Sequence, residues 1–177
     1  MMTKDDLIGI FRTCHNNCKL VYALIVLFSH EDMAQFFTAW KAKLSLPTEY
    51  SNSELLSLLY DRQVLKHAFA QLYDTVHRAA LTDLFEVTTS YCASTGQEKI
   101  LQQQPWYQFW RILRNCLSHD FIFKFRDYDR KKLPVTWDGL TLDEPREGTQ
   151  LTHGEFPREK FWDFLGEVKV FIENNLS

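Results

Sequence analysis

The stretch SELLSLLYDRQVLKHAFAQLYDTVHRAALTDLFEVTTSYCAS, residues 53–94, contains no proline or glycine and decides the fold class. Its apolar residues recur at steps of three and four, which place them on one face of an α-helix. That face comprises Leu65, Phe69, Leu72, Val76, Ala80, Leu84, Val87 and Tyr91. A single helix over the whole stretch would exceed the usual length in globular domains, so we predict a junction near Asp61 and two helices.

The N-terminal region shows the same periodicity. Thr3, with Asp6 three residues later, predicts a capping box at the start of the first helix. Ser29 and Asp32 predict the start of a second helix, which we expect to reach about Leu44 and to be followed by a loop. The apolar stripe of the first helix comprises Leu7, Phe11, Cys14, Cys18, Val21, Ile25 and Phe28.

Two further helices are predicted after residue 94. Gly96 marks the stop of the preceding helix, and Pro105 stands where proline is tolerated, at the start of the next one. The buried stripe of that next helix comprises Trp106, Trp110, Leu113 and Leu117. A final helix over residues 157–176 has one apolar face, made of Phe161, Phe164, Leu165, Val168, Phe171 and Ile172.

The segment between these two helices has β character. Residues 121–125, FIFKF, have the aromatic and β-branched composition of a strand. Asp138-Gly139 between apolar runs predicts a two-residue hairpin, and Pro134 would place its strand at a sheet edge. The predicted fold is therefore mainly α: a single domain over residues 1–177, built as a bundle of long antiparallel helices. A small β-hairpin insertion at about 121–156 precedes the last helix.

Composition limits the classes of function. The chain has 177 residues, of which 45% are hydrophobic, so we expect a substantial core. A net charge of -3 argues against broad electrostatic capture of nucleic acid. The first residues do not resemble a signal peptide, and the longest apolar run, residues 20–28, is about half of the ~20 residues that span a bilayer. We expect a cytoplasmic protein with no membrane partner, and four cysteines are too few for a disulfide framework.

The sequence RNCLSH, residues 114–119, combines Arg114, Asn115 and His119 near the end of an amphipathic helix. The motif resembles the signature of the HEPN family, which is an arginine, a polar residue, three variable positions and a histidine. The helical pattern of most of the chain agrees with this resemblance. The insertion after the motif is similar to that of plasmid- and defence-associated HEPN proteins. The resemblance implies a metal-independent endoribonuclease, a toxin or defence effector, with Arg114, His119 and Asn115 as catalytic residues and no cofactor. The alternative is a non-catalytic HEPN-like module that binds a nucleotide or a protein.

Side-chain chemistry agrees with that implied activity. RNA supplies its own nucleophile, the 2′-hydroxyl, so cleavage needs only a base and a cation to stabilise the charged phosphorane. Histidine titrates near neutral pH and acts as base or acid, and arginine offers a planar fork that matches phosphate oxygens. Asn115 would orient the histidine or donate to the phosphate.

The spacing of the motif raises a geometric problem. Arg114 and His119 are roughly 140° apart around an ideal helix, so one helix would not aim both at the same point. Asn115 and His119, four residues apart, would share a face. HEPN ribonucleases form the site between two protomers, and the resemblance therefore implies a symmetric homodimer in which both motifs line one cleft.

One position departs from a subgroup of the family. HEPN toxins that are neutralised by a nucleotidyltransferase antitoxin carry a tyrosine two positions after the histidine, and this tyrosine accepts AMP. Phe121 stands there in this chain and has no hydroxyl. An antitoxin protein is a possible partner, but regulation by this modification is not expected.

Other interpretations of these residues stay open. Arg114 and His119 can be purely structural, because cations near a helix C-terminus interact favourably with the dipole and cap its carbonyls. Cys116 with His119 can be read as a thiol nucleophile beside a base, an interpretation we rank lower. Cys14, His15 and Cys18 suggest zinc, but the cysteines lie on the apolar stripe and no second pair follows, so we predict no metal site.

The basic residues concentrate after the motif. They are Lys124, Arg126, Arg130, Lys131 and Lys132, interleaved with aromatic residues. Such a segment can contact an RNA backbone. It can equally be a solvated loop, because Asp127 and Asp129 dilute its charge.

Overall fold

A computed structural model describes residues 2–40, 57–152 and 154–177, and gives no side-chain description at positions 34 and 40. Its helices are α1 (Lys4–Ser29), α2 (Met33–Trp40), α3 (Arg62–Ser94), α4 (Glu98–Gln102), α5 (Tyr107–Leu117), α6 (Asp127–Arg130) and α7 (Arg158–Asn175). Strands β1 (Val135–Trp137) and β2 (Leu140–Leu142) and a 3-10 turn (Glu144–Arg146) lie between α6 and α7. The protein is mainly helical with a small antiparallel hairpin before its last helix, which confirms the predicted fold class.

The described chain divides into two compact units. The first unit comprises residues 1–14 and 78–177, and the second comprises residues 15–77. Helices α1 and α3 each contribute one part to each unit. The prediction of a single domain over residues 1–177 stays a prediction.

Two predicted helix starts are present. The Thr3 amide donates to the Asp6 carboxylate (2.8 Å), and the Asp6 amide donates to the Thr3 hydroxyl (3.1 Å), so the capping box is confirmed. Residues 57–60 are helical, Asp61 interrupts the helix, and α3 starts at Arg62. The Asp61 carboxylate accepts the Gln63 and Val64 amides, both at 3.1 Å, which confirms the predicted junction and explains it as an N-cap.

Helix α5 is central to the first unit because aromatic side chains surround it. Trp106, at its N-cap, and Trp110 pack edge-to-face with centroids 5.8 Å apart, and Trp110 donates its indole N–H to the Leu81 carbonyl of α3 (3.1 Å). Phe164 of α7 lies 5.6 Å from Trp110 and 4.9 Å from Trp137 of β1. These rings join α3, α5, the hairpin and α7 around one core.

The hairpin is the one predicted. Val135 pairs with Leu142 and Trp137 with Leu140, and the turn residues Asp138 and Gly139 have φ of +43° and +75°. Positive φ at both turn positions is typical of the tight turn whose twist matches antiparallel strands. The alternating burial of the strands directs Val135, Trp137, Leu140 and Leu142 into the core.

Helix α1 and the start of α3 form the core of the second unit. Phe28 of α1 stacks on Phe37 of α2 with centroids 5.4 Å apart and lies 6.4 Å from Phe69 of α3. These rings pack on Leu59 and Leu65, which are 3% and 4% exposed.

Four details of the predicted fold are wrong. Residues 121–125 form no strand, because only Ile122 pairs, in an isolated bridge with Gln150. The helix expected from Pro105 starts at Tyr107, and the short α4 precedes it. Leu72, expected in the buried stripe of α3, is 39% exposed. The second helix starts at Met33 rather than near Ser29; its expected end at Leu44 and the following loop fall outside the described residues.

Candidate functional site

Arg114 and Asn115 lie in the last turn of α5. Asn115 is only 4% exposed, and its side-chain oxygen accepts a hydrogen bond from Arg114 Nη1 (2.9 Å). A buried amide is thereby satisfied, and it fixes one edge of the guanidinium. Asn115 therefore orients the arginine.

Helix α3 supplies the other contacts of Arg114. Its Nη2 forms an ion pair with the Glu86 carboxylate, and its Cζ lies 5.8 Å from the centroid of the Phe85 ring. The Arg114 and Glu86 side chains are 28% and 54% exposed, so solvent reaches both partners of the pair. Exposed ion pairs of this kind contribute little stability, roughly 0–1 kcal/mol, and an anion can displace one partner at small cost.

His119 lies outside the helix. Helix α5 ends at Leu117, and the His119 amide donates to the Cys116 carbonyl (3.0 Å) in a tighter turn. The roughly 140° separation from Arg114, and the shared face with Asn115, assumed a helix that continued to residue 119. That assumption does not hold, because the α-helix ends at Leu117, and both expectations stay predictions.

The turn after His119 is anchored to a distant segment. Asp120 and Phe121 have φ of +56° and +62°, a left-handed conformation that is costly for residues with a Cβ. The Phe121 carbonyl accepts the Leu151 amide (2.7 Å), and the Phe123 amide donates to the Thr149 carbonyl (3.0 Å). These bonds hold the strained turn in place, and they fix the backbone on which His119 stands.

The His119 side chain is partly buried and has no hydrogen bond or ion pair to any residue that the structure describes. Within the described ranges, neither ring nitrogen has a partner, so both are available to solvent or to a ligand. The imidazole stands on a fixed backbone and is close in sequence to an oriented guanidinium. These two groups can supply the acid–base catalyst and the cation that cleavage of a phosphodiester needs.

The interpretation of Cys116 as a nucleophile is not favoured. Its side chain is completely buried, and burial raises the pKa of the thiol to about 12. A nucleophilic cysteine needs a substantial thiolate fraction near neutral pH and access for its substrate. Cys116 has neither, so it is a core residue of α5.

No metal cluster is found among the described residues, since no three His, Cys, Asp or Glu side chains there are arranged to hold an ion. Cys18 is completely buried, and burial raises the pKa of the Cys14 thiol. Both observations agree with small core residues on the stripe of α1.

The five basic residues after the motif are all exposed. Arg130 pairs with Glu147 (3.3 Å), and Lys132 lies 5.9 Å from the centroid of the Tyr128 ring. Within residues 2–40, 57–152 and 154–177, no acidic side chain pairs with Lys124, Arg126 or Lys131. The cations at 124–132 thus form an exposed surface, which we call the basic segment.

Sequence reasoning missed the residue that organises this segment. In the sequence, Asp129 only dilutes the positive charge of the segment, yet its side chain is completely buried in α6. It accepts hydrogen bonds from Arg111 (2.7 Å) and Gln108 (3.1 Å) of α5 and from the Arg126 amide (3.2 Å). Arg111 also lies 4.2 Å from the Tyr128 ring centroid, so Asp129 fixes the basic segment to the helix that carries Arg114. The only available signal was the spacing of Gln108 and Arg111 on one helical face.

Comparison with known proteins gives no family. The chain matches no protein-family model, and no curated protein or solved structure shows significant similarity to it. Among the described helices, none combines the length and apolar character needed to cross a bilayer.

Proposed function

We propose that this chain is a metal-independent endoribonuclease that acts through His119, Arg114 and Asn115, as its resemblance to HEPN proteins implies. One observation carries the proposal. The His119 imidazole has no partner in the described part of the chain and stands on a fixed turn directly after the helix that orients Arg114. A histidine that acts as a general acid or base must keep its ring nitrogens free for substrate, whereas a structural histidine usually forms hydrogen bonds through them.

The proposed reaction consumes no water in the cleaving step. The 2′-hydroxyl oxygen attacks the adjacent phosphorus while a histidine removes its proton. The bond from phosphorus to the 5′-oxygen breaks, and a protonated histidine donates a proton to that oxygen. The products are a 2′,3′-cyclic phosphate and a 5′-hydroxyl. Arg114 stabilises the charge that develops on the phosphorane oxygens.

The proposed sequence of steps uses one histidine as base and a second as acid, and the motif supplies one histidine per chain. A homodimer in which the two motifs face each other supplies the second from the partner. The described turn supports this arrangement, because His119 is partly exposed rather than enclosed by its own chain. The proposed site is therefore shared by two protomers.

Glu86 has a defined part in this proposal. Glu86 forms an ion pair with Arg114 in the absence of substrate, so an RNA phosphate has to replace the Glu86 carboxylate as the partner of the guanidinium. Because the pair is solvent-accessible, that exchange costs little.

The basic segment supports an RNA substrate. Its cations are exposed, and Asp129 holds the segment against the helix that carries Arg114. With a net charge of -3, the chain would depend on such a local surface for contact with the backbone phosphates. We place the protein in the cytoplasm as a toxin or defence effector, with an antitoxin protein as a further proposed partner.

One observation favours the alternative, a non-catalytic module that binds a nucleotide or a protein. The Arg114–Glu86 pair neutralises the arginine, as it would in a purely structural role. The two functions differ in whether substitution of His119 changes RNA cleavage.

The test is cleavage of a mixed RNA pool in the presence of EDTA by the wild type, Arg114→Ala and His119→Ala. Matched controls are Arg12→Ala and His67→Ala, which change exposed residues outside the motif. We expect cutting by the wild type and both controls, 2′,3′-cyclic phosphate ends, and loss of at least a hundredfold in both motif variants. Circular dichroism and sedimentation would show that fold and dimer are intact. Equal cutting by wild type and His119→Ala would refute the proposed mechanism, and RNA binding without cutting would favour the alternative.

A further inference from the structure

The second unit contains a groove that the proposed ribonuclease activity does not use. It lies between the last turns of α1 and the first half of α3 and has a volume of about 470 Å3. Cavities of roughly 300–1,000 Å3 are typical of small-molecule sites. Its lining residues are Tyr22, Ile25, Ser29, Arg62, Leu65, Lys66, Phe69, Ala70 and Tyr73.

Helical spacing explains why these side chains form one continuous groove. On α1 the lining residues are three and four positions apart, and on α3 they recur at steps of one, three and four, so each set lies along one helical face. Arg62 Nη1 donates to the Ser29 carbonyl (3.1 Å), which places the start of α3 beside the end of α1. The two helices therefore run antiparallel along the groove.

The chemistry of the groove differs from one end to the other. Arg62 and Lys66, one turn apart on α3, lie at the end next to Ser29, and Phe69 and Tyr73 continue the face away from it. No acidic side chain is among the residues described as lining the groove. Lys66 is exposed and, over the described ranges, has no hydrogen bond or ion pair. Among the described residues, no acidic side chain therefore neutralises the cationic end of the groove.

We propose that this groove binds a small amphipathic anion, namely a medium-chain acyl carboxylate. The carboxylate would lie between Lys66 and Arg62, and the acyl chain would run along α3 towards Tyr73. From Lys66 to Tyr73 the helix rises about 10 Å, which suits a medium-length chain rather than a long one. The open, linear shape between two helices and the single cationic end both favour this occupant over a compact polar molecule.

Charge and chain length make separate contributions to the expected affinity. A charge-assisted hydrogen bond to a carboxylate is roughly twice as strong as a neutral one, so removal of Lys66 should weaken binding about tenfold. Each methylene that leaves the groove should weaken binding about threefold to fourfold. A ligand without charge, or with a short chain, should bind poorly.

The experiment is titration calorimetry of the full chain with sodium octanoate, with 1-octanol as the neutral analogue and sodium butyrate as the short one. The variants are Lys66→Met, which removes the unpaired cation, and Ala70→Trp, which fills the groove from an exposed position. Lys19→Met is the matched control, because Lys19 is exposed on α1 and does not line the groove. Circular dichroism would establish that each variant is folded.

We expect octanoate to bind with one site per chain, about tenfold more weakly to Lys66→Met, not measurably to Ala70→Trp, and unchanged to Lys19→Met. Equal binding of octanol and octanoate would overturn the proposal and indicate a purely apolar occupant. Absence of saturable octanoate binding would overturn it too. If Ala70→Trp then shifted the protein from dimer to monomer in sedimentation, the groove would be an interface between copies of this chain.

Discussion

The Asp129 carboxylate has no exposed surface, and the Arg111 guanidinium donates to it across 2.7 Å. Arg111 in turn lies 4.2 Å from the centroid of the Tyr128 ring, and Tyr128 is 49% exposed. The buried Asp129 carboxylate of α6 thus holds in place the exposed basic segment. A buried charge without its partner is strongly destabilising, so this pair should be sensitive to substitution.

Substitution of Asp129 should therefore destabilise the protein. We expect Asp129→Ala to lower the free energy of unfolding by about 3 kcal/mol, because it leaves Arg111 and Gln108 without their acceptor. Asp127→Ala, on the exposed side of α6, should change it by less than about 0.5 kcal/mol. Urea denaturation followed by circular dichroism measures both values. Equal effects of the two substitutions would contradict the structural role of Asp129.

Glu86→Gln tests the interplay of Glu86 and Arg114 in the proposed ribonuclease. Removing the negative charge releases Arg114 for the RNA phosphate, so we expect kcat/KM for RNA cleavage to rise by up to about fivefold. Glu144→Gln, at an exposed position outside the motif, should leave the rate unchanged. A fall in the rate for folded Glu86→Gln would mean that the carboxylate supports the reaction instead of competing with substrate.

The basic segment makes a prediction about salt. Lys131→Ala and Lys124→Ala should each weaken RNA binding by the same factor for all RNA sequences. Each should also reduce the slope of log affinity against log salt concentration by about one, because one fewer phosphate is neutralised. Lys99→Ala, an exposed change on α4, is the control. Filter binding at several salt concentrations gives the slopes. If the three slopes equal that of the wild type, these lysines do not contact the RNA.

The buried thiols predict a pH dependence of stability. Burial raises the pKa of Cys116 to about 12 and that of Cys92 to about 11, from an ordinary value of 9.0. Above pH 9 the unfolded thiols lose their protons while the folded ones keep theirs, so the free energy of unfolding falls as pH rises. The loss should be about 1 kcal/mol per thiol between pH 9 and 10. Urea unfolding of Cys116→Ala across that range should show a shallower fall, and an identical fall would contradict the prediction.

Replacement of two glycines by alanine should change the free energy of unfolding in opposite directions. Gly139 has φ of +75° in the hairpin turn, so Gly139→Ala should destabilise the protein by about 1–2 kcal/mol. Gly166 is exposed within α7, and a Cβ there would meet no atom within 4 Å. Gly166→Ala should stabilise the protein by about 0.5–1 kcal/mol. Thermal unfolding of the two variants measures both, and a shared sign would contradict the assigned backbone conformations.

Local patterns were sufficient to predict much of the fold. The Thr3–Asp6 capping box, the junction at Asp61 and the Asp138-Gly139 hairpin depend on neighbours within a few residues, and each is present in the structure. The segment at 121–125 was mispredicted because its strand-like composition reflects burial of Phe123 and Phe125 rather than membership of a sheet; its backbone bonds to residues 148–151 amount to one isolated bridge. Composition cannot distinguish those two causes.

The candidate site was predicted less completely, because its contacts cross between elements. Arg114, Asn115 and His119 were identified from their spacing, but nothing near Arg114 in the sequence indicates Glu86 as its ion-pair partner. Likewise, nothing near Phe121 in the sequence indicates the bond from the Leu151 amide that anchors the turn after His119. Tertiary hydrogen bonds of this kind leave no periodic signal in the chain.

The hydrogen bond from the Leu151 amide to the Phe121 carbonyl also constrains the order of events during synthesis. The turn that carries His119 lacks this anchor until residue 151 has left the ribosome. We therefore expect a nascent chain that ends before this point to hold its imidazole on an unfixed backbone. Ribosomal RNA is the RNA nearest to a nascent chain. A protein proposed to cut RNA would therefore leave the ribosome with a site that is not yet assembled.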